Sequence, residues 1–165
     1  MTVFDAVMSL LSEVKISTLV SGAAGAVFGA LATQVREWRS RDRRRKAHWF
    51  ALSAEVELCR EMAETFLGAP IQAPLYRLST LAYLNSFPQL LADGAARTEQ
   101  DTRAVTQFYN QVEALNRGLD QANDARGNTH KIEREDERNR LKAAELVGSG
   151  AYYAAIRQVL GRHTG

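Results

Sequence analysis

Five polar residues recur along one side of a helical segment late in the chain: Tyr109, Glu113, Asn116, Arg117 and Asp120. With 3.6 residues per turn they form a stripe. A phenol, two carboxylates, an amide and a guanidinium on one stripe could line a polar pocket and act there as acid, base or anion holder. Glu113 and Arg117 are also spaced four apart in the favourable order for a helix ion pair. The stripe therefore has a competing and commoner use as an outer face or a buried structural pair, and it is only the first place to look for chemistry.

The remaining reactive residue types are sparse. His48, His130 and His163 lie far apart, and none has a second ligand at a metal-binding spacing such as HExxH. Surface or capping roles are the expectation. The single cysteine, Cys59, has no partner for an intrachain disulfide, so nothing points to an oxidising compartment. No histidine or basic cluster is placed to lower its pKa, and it reads as a small apolar residue on a helix face. There is no phosphate-gripping Gly loop, no GxSxG and no Cys–His constellation. The sequence predicts no enzyme, no cofactor and no metal site.

The elements that position these residues are helical throughout. Trp49, Leu52, Val56, Cys59, Ala63 and Phe66 follow a 3-4-3-4-3 spacing, the seam of a helix that packs on another, with Glu55, Glu57, Glu61 and Glu64 expected on the outer face. Gly68, Pro70 and Pro74 end this element. A short helix is predicted from about Ser79 to Ala92, with Pro88 expected to kink or split it and Asp93-Gly94 as its stop. Thr98 to Asp101 forms an acidic variant of a capping box. It opens a helix whose Val105, Phe108, Val112, Leu115, Leu119 and Ala122 repeat the 3-4 spacing, so these two seams are expected to pack together. The segment "THKIEREDERNRLKAAELV" is dense in both charges and reads as an exposed helix with few apolar contacts before Leu141. Gly148-Ser149-Gly150 reads as a hinge before a last helix, Ala151 to Leu160, that returns Tyr153, Ile156 and Leu160 to the core. No alternating strand pattern is present.

The amino-terminal third raises a different question. From Ile16 to Val35 no residue is ionisable, and twenty helical residues span roughly 30 Å, the thickness of a bilayer's hydrocarbon core. Ser21, Gly25, Gly29 and Thr33 recur every four positions, a smooth face on which two helices in lipid can approach closely. Residues 36 to 46 then carry seven basic side chains (Arg36, Arg39, Arg41, Arg43, Arg44, Arg45 and Lys46) against Glu37 and Asp42, a balance of +5, whereas 47 to 165 carry thirteen against fifteen. A basic cluster directly after an uncharged run marks its cytoplasmic end and attracts anionic headgroups. Trp38 lies at the depth of an interfacial aromatic. A secretory signal would carry its basic residues before the apolar run, so cleavage after Ala30-Leu31-Ala32 is not expected. Phe4, Val7, Met8, Leu11 and Val14 give residues 1–15 an amphipathic pattern.

Between Gly29 and Gly68 the chain has no Gly and no Pro, so a single helix can run from the apolar segment into the domain. The fold class expected is all-α: an amphipathic segment at 1–15, a transmembrane helix at 16–35, a basic juxtamembrane stretch at 36–46 and a cytoplasmic helical bundle at 47–165. The functional expectation is a single-pass, inner-membrane interaction or scaffold module. It would self-associate into a homo-oligomer through its membrane helix and engage a protein partner not named by the sequence. Two alternatives stand beside it: a pore-forming oligomeric effector, and a soluble helical protein with 16–35 in its core and a nucleic-acid-binding patch. Nucleic acid as partner would need more basic surface than one eleven-residue patch on an otherwise acidic domain.

Overall fold

The computed structural model describes the backbone of residues 3–68, 77–96, 98–124 and 129–165, and the side chains of 31–68, 77–96, 98–124 and 136–165. Among the described residues every regular element is a helix: α1 (Val3–Gly68), α2 (Leu81–Ala92), α3 (Glu99–Asp124), α4 (Thr129–Ala144) and α5 (Ala151–Thr164). The all-α class holds. By internal contacts the chain divides into two units, residues 1–43 and 44–165.

In the first unit, residues 31–43 are exposed, among them Leu31, Val35, Trp38 and the arginines 36, 39, 41 and 43. No helix among the described residues is long and apolar enough to cross a membrane. The segment 16–35 expected to do so lies outside the described side chains for residues 16–30, and with it Ser21, Gly25, Gly29 and the pattern in 1–15.

The second unit is built on two seams of residues at 3-4 spacing. Trp49, Leu52, Val56, Cys59 and Ala63 of α1 and Val105, Phe108, Val112, Leu115 and Leu119 of α3 are all buried in one cluster, each large side chain contributing about 1.5–3 kcal/mol by leaving water. Tyr153, Ile156, Val159 and Leu160 of α5 join the same cluster. α3 is the centre of this bundle, with its backbone closest to those of α4 and α5.

Three local expectations change in the folded chain. Pro88 does not split α2, which runs unbroken from Leu81 to Ala92. Leu84, whose carbonyl loses its helical partner to the proline, lies with Pro88 on the exposed side, where water can replace the bond. The helix ends as expected, at Asp93 and at Gly94 with φ +61°, a conformation that glycine adopts without strain. Second, Leu141 is exposed and Asn139 is buried on α4, the reverse of the expected pattern. Polar contacts tie α4 down instead: Lys142 donates to the Ala114 carbonyl at 3.1 Å, Gln111 to that of Lys142 at 3.2 Å, and Arg140 to that of Leu67 at 3.0 Å. Third, Thr98 accepts the Asp101 amide at 3.0 Å as a capping box requires, but the Asp101 carboxylate does not reach back. It is buried against the Arg162 guanidinium and 3.4 Å from His163 Nε2, and the His163 ring stacks on Trp49 at 4.3 Å.

Candidate functional site

The polar stripe of α3 faces the segment that leads into α2, and there it meets a residue assigned from sequence to the outer surface. Glu55 of α1 is only 6% exposed. Its Oε1 accepts from Ser79 Oγ at 2.7 Å and from the Ala82 amide at 2.9 Å. Its Oε2 accepts from the Tyr83 amide at 2.9 Å and from the Tyr109 hydroxyl at 2.8 Å. Ala82 and Tyr83 are in the first turn of α2, whose amides have no intrahelical acceptor, and Thr80, the residue before the helix, makes no side-chain cap. Glu55 is therefore the cap of α2, supplied by another helix and carrying the negative charge that a helix amino terminus favours.

Burial alone would raise the Glu55 pKa, but the four hydrogen bonds outweigh it and hold the carboxyl below the usual glutamate range. Tyr109 shifts the opposite way: burial first, then the neighbouring Glu55 charge, push its hydroxyl up, so it stays a donor. Tyr83 stacks on Tyr109 at 4.2 Å. Two helical turns on, Asn116 grips Leu78 with both ends of its amide, accepting its N–H at 2.7 Å and donating to its carbonyl at 3.0 Å.

The other residues of the stripe stay at the rim. Arg77 stands 3.9 Å from Glu113 and 3.8 Å from Asp120, all three about half exposed, and such pairs contribute little. Arg117 donates to the Glu113 carbonyl at 3.4 Å, not to its carboxylate, which faces Arg77 instead. The buried groups of the stripe are committed to partners within the fold, Tyr109 to the Glu55 carboxylate and Asn116 to the Leu78 backbone, while Glu113, Arg117 and Asp120 stay at the surface.

Cys59 extends this clamp as a donor to the Ser79 carbonyl at 3.4 Å. Burial, followed by the Glu55 charge, pushes its thiol up to about 12, so iodoacetamide at pH 8 is expected to leave it unmodified in the folded protein and to label it fully in urea. Rapid labelling of the native chain, read by mass spectrometry, would contradict this packing.

At the far end of α2, Arg45 donates to the Asp93 carbonyl and lies 3.9 Å from the Asp93 carboxylate. Arg44 and Lys46 are exposed on the same turn, and Arg41 is exposed beside Glu37 at 3.6 Å. Of the seven basic residues assigned to lipid, Arg45 is thus engaged with the end of α2 at the surface of the bundle. His48 also faces α2, with Nδ1 3.1 Å from Ser86 Oγ.

Elsewhere a cleft of about 260 Å³ lies between α3 and α5, lined by Gln100, Arg103, Gln107, Gln158 and Arg162 among others. It contains none of the stripe residues. No three His, Cys, Asp or Glu side chains among the described residues converge to hold a metal ion. No protein family, curated protein or solved structure matches the chain.

Sequence reasoning missed Glu55 and Arg45 as the two ends of one clasp. One signal was available: Glu55 sits three residues after Leu52 and four before Cys59, at the edge of the buried seam rather than opposite it.

Proposed function

We propose that this chain is a membrane-anchored helical interaction module, not an enzyme, in which residues 16–35 cross the bilayer, the basic stretch 36–46 meets anionic headgroups, and the helical domain lies on the cytoplasmic side. Self-association runs through the small-residue face of Ser21, Gly25, Gly29 and Thr33. The observation that carries this reading is the exposure of Leu31, Val35 and Trp38, the last at 68%, on an uninterrupted helix just where the uncharged run gives way to arginines. Exposed apolar side chains in that position are stabilised by lipid and by an interface, whereas water disfavours them. The closed polar clamp supports an interaction role over catalysis, since its groups serve the fold.

Fractionation tests the anchor: the full chain is expected in the membrane pellet after an alkaline carbonate wash and in solution only with detergent. Recovery in the supernatant without detergent refutes it. For assembly, Gly25→Leu or Gly29→Leu is expected to reduce the mass of the detergent-solubilised particle by blocking close helix approach, and an unchanged mass in both variants would exclude that face.

A further inference from the structure

α2 contains no charged residue, and Leu81, Leu84, Pro88 and Leu91 all point outward at 3-4-3 spacing, Leu81 being 69% and Leu84 62% exposed. They form one exposed apolar stripe along the helix, and a contiguous apolar patch on a monomer commonly marks a contact site. A twelve-residue helix containing a proline is marginal by itself. Here it is held at both ends by α1, with the Glu55 carboxylate at its first turn and the Arg45 guanidinium at the carbonyl of its last cap. Burying a carboxylate is costly, and what it secures is a rigid helix with an apolar outer face.

We infer that this face packs against α1 of a second copy of the chain, on the charge-free window Ala47–Ala54. The inference rests on the anchored, self-associating reading above and adds the cytoplasmic contact to it. Over Ala47–Ala54 the sequence has no Asp, Glu, Lys or Arg, and Ala47, Ala51 and Ala54 are exposed, with Phe50 exposed among them and Leu58 exposed one turn beyond. Small residues at 4-3 spacing leave gaps into which leucines of a neighbouring helix fit. Beyond the window α1 carries Arg44 and Lys46 on one side and Glu57, Glu61 and Glu64 on the other. An occupant of the window thus has to be uncharged over the same two turns, and α2 is.

Direction agrees as well. Glu55 meets the start of α2 and Arg45 its end, so α2 runs antiparallel to its own α1. Copies anchored with one orientation keep α2 antiparallel to every neighbouring α1, so the contact between copies repeats the packing sense within each. Because the two surfaces differ, the contact is head-to-tail and closes into a ring or continues as a chain. A contact between two such short helix faces falls below the ~1,200 Å² of a stable interface, so it needs the local concentration that anchoring supplies.

Disulfide trapping tests this in the full chain in its own membrane. Chains with Ala51→Cys and chains with Leu84→Cys, carrying different tags, are co-expressed and oxidised with copper phenanthroline; buried Cys59 does not compete. A mixed-tag disulfide is expected, with none when either variant is expressed alone. Adding Leu81→Asp to the Leu84→Cys chain is expected to cut the yield about tenfold, equivalent to about 1.4 kcal/mol of contact. A Leu84→Cys chain that dimerises with itself would replace the head-to-tail contact by a two-fold pairing of α2, and absence of any disulfide in a membrane-bound oligomer would remove the contact altogether. The disulfide decides the contact and the carbonate wash decides the anchor, so the two fail separately.

Discussion

Glu55→Ala is expected to destabilise the domain by about 3–5 kcal/mol, because it strands several buried hydrogen-bonding groups at once. The amides of Ala82 and Tyr83 and the hydroxyls of Ser79 and Tyr109 all donate to this one carboxylate. Glu55→Gln keeps one acceptor oxygen but turns an N–H₂ group toward donors, so it is expected to recover only part of the loss. Urea unfolding followed by circular dichroism measures both, and a Glu55→Ala variant within 1 kcal/mol of the parent would contradict the capping role. A pH signature accompanies the substitution. The folded Glu55 carboxyl lies lower than in the unfolded chain, so the unfolded state takes up its proton first as the solution is acidified. Its contribution is complete above the unfolded glutamate value of about 4.3 and is lost as pH falls through the folded one. The parent is therefore expected to lose this increment of stability below about pH 4, and Glu55→Gln to lack it.

Gly150→Ala is expected to cost about 2–3 kcal/mol, at the upper end of what overpacking does. The reason is not conformational freedom, since Gly150 has φ −76° and ψ 143°, which any residue adopts. It is proximity: a Cβ there would lie 2.3 Å from the Glu145 carbonyl carbon and oxygen and 2.6 Å from the Ala144 oxygen. Those atoms are backbone at the carboxy end of α4, where the Glu145 carbonyl also accepts the Tyr153 amide at 3.3 Å, and backbone cannot rotate away. Gly118 offers the contrast. A Cβ there would meet Asn139 Oδ1 at 1.8 Å, but that atom ends a side chain that can swing aside at the expense of its buried position. Alanine is accordingly expected to be less damaging at 118 than at 150, and the melting temperatures of the two variants, which should fall in that order, check the argument.

Much of the architecture was legible residue by residue. The seam from Trp49 to Ala63 and the seam from Val105 to Leu119 are buried as their spacing requires. The Asp93-Gly94 stop and the Thr98 cap likewise depend on neighbours within a few positions. The failures share a cause. Glu55 carries a charge and so was placed in water, although its register puts it beside the seam. Leu141 is apolar and so was placed inward, although Asn139 occupies the place against Gly118. In both cases residue type and helix register disagreed, and register decided.

What the sequence determined by itself is the set of helices and the faces they bury, because a 3.6-residue period is a property of the local backbone and is written in consecutive positions. Only the tertiary structure decided what the polar stripe is for. Tyr109 and Glu55 are 54 positions apart, and Asn116 and Leu78 are 38 apart. A hydrogen bond is made within about 3 Å of space and leaves no periodic trace in the chain, so a stripe whose spacing suits a pocket, and more commonly an outer face or a structural pair, shows which of its groups hold the fold only when its partners are in place.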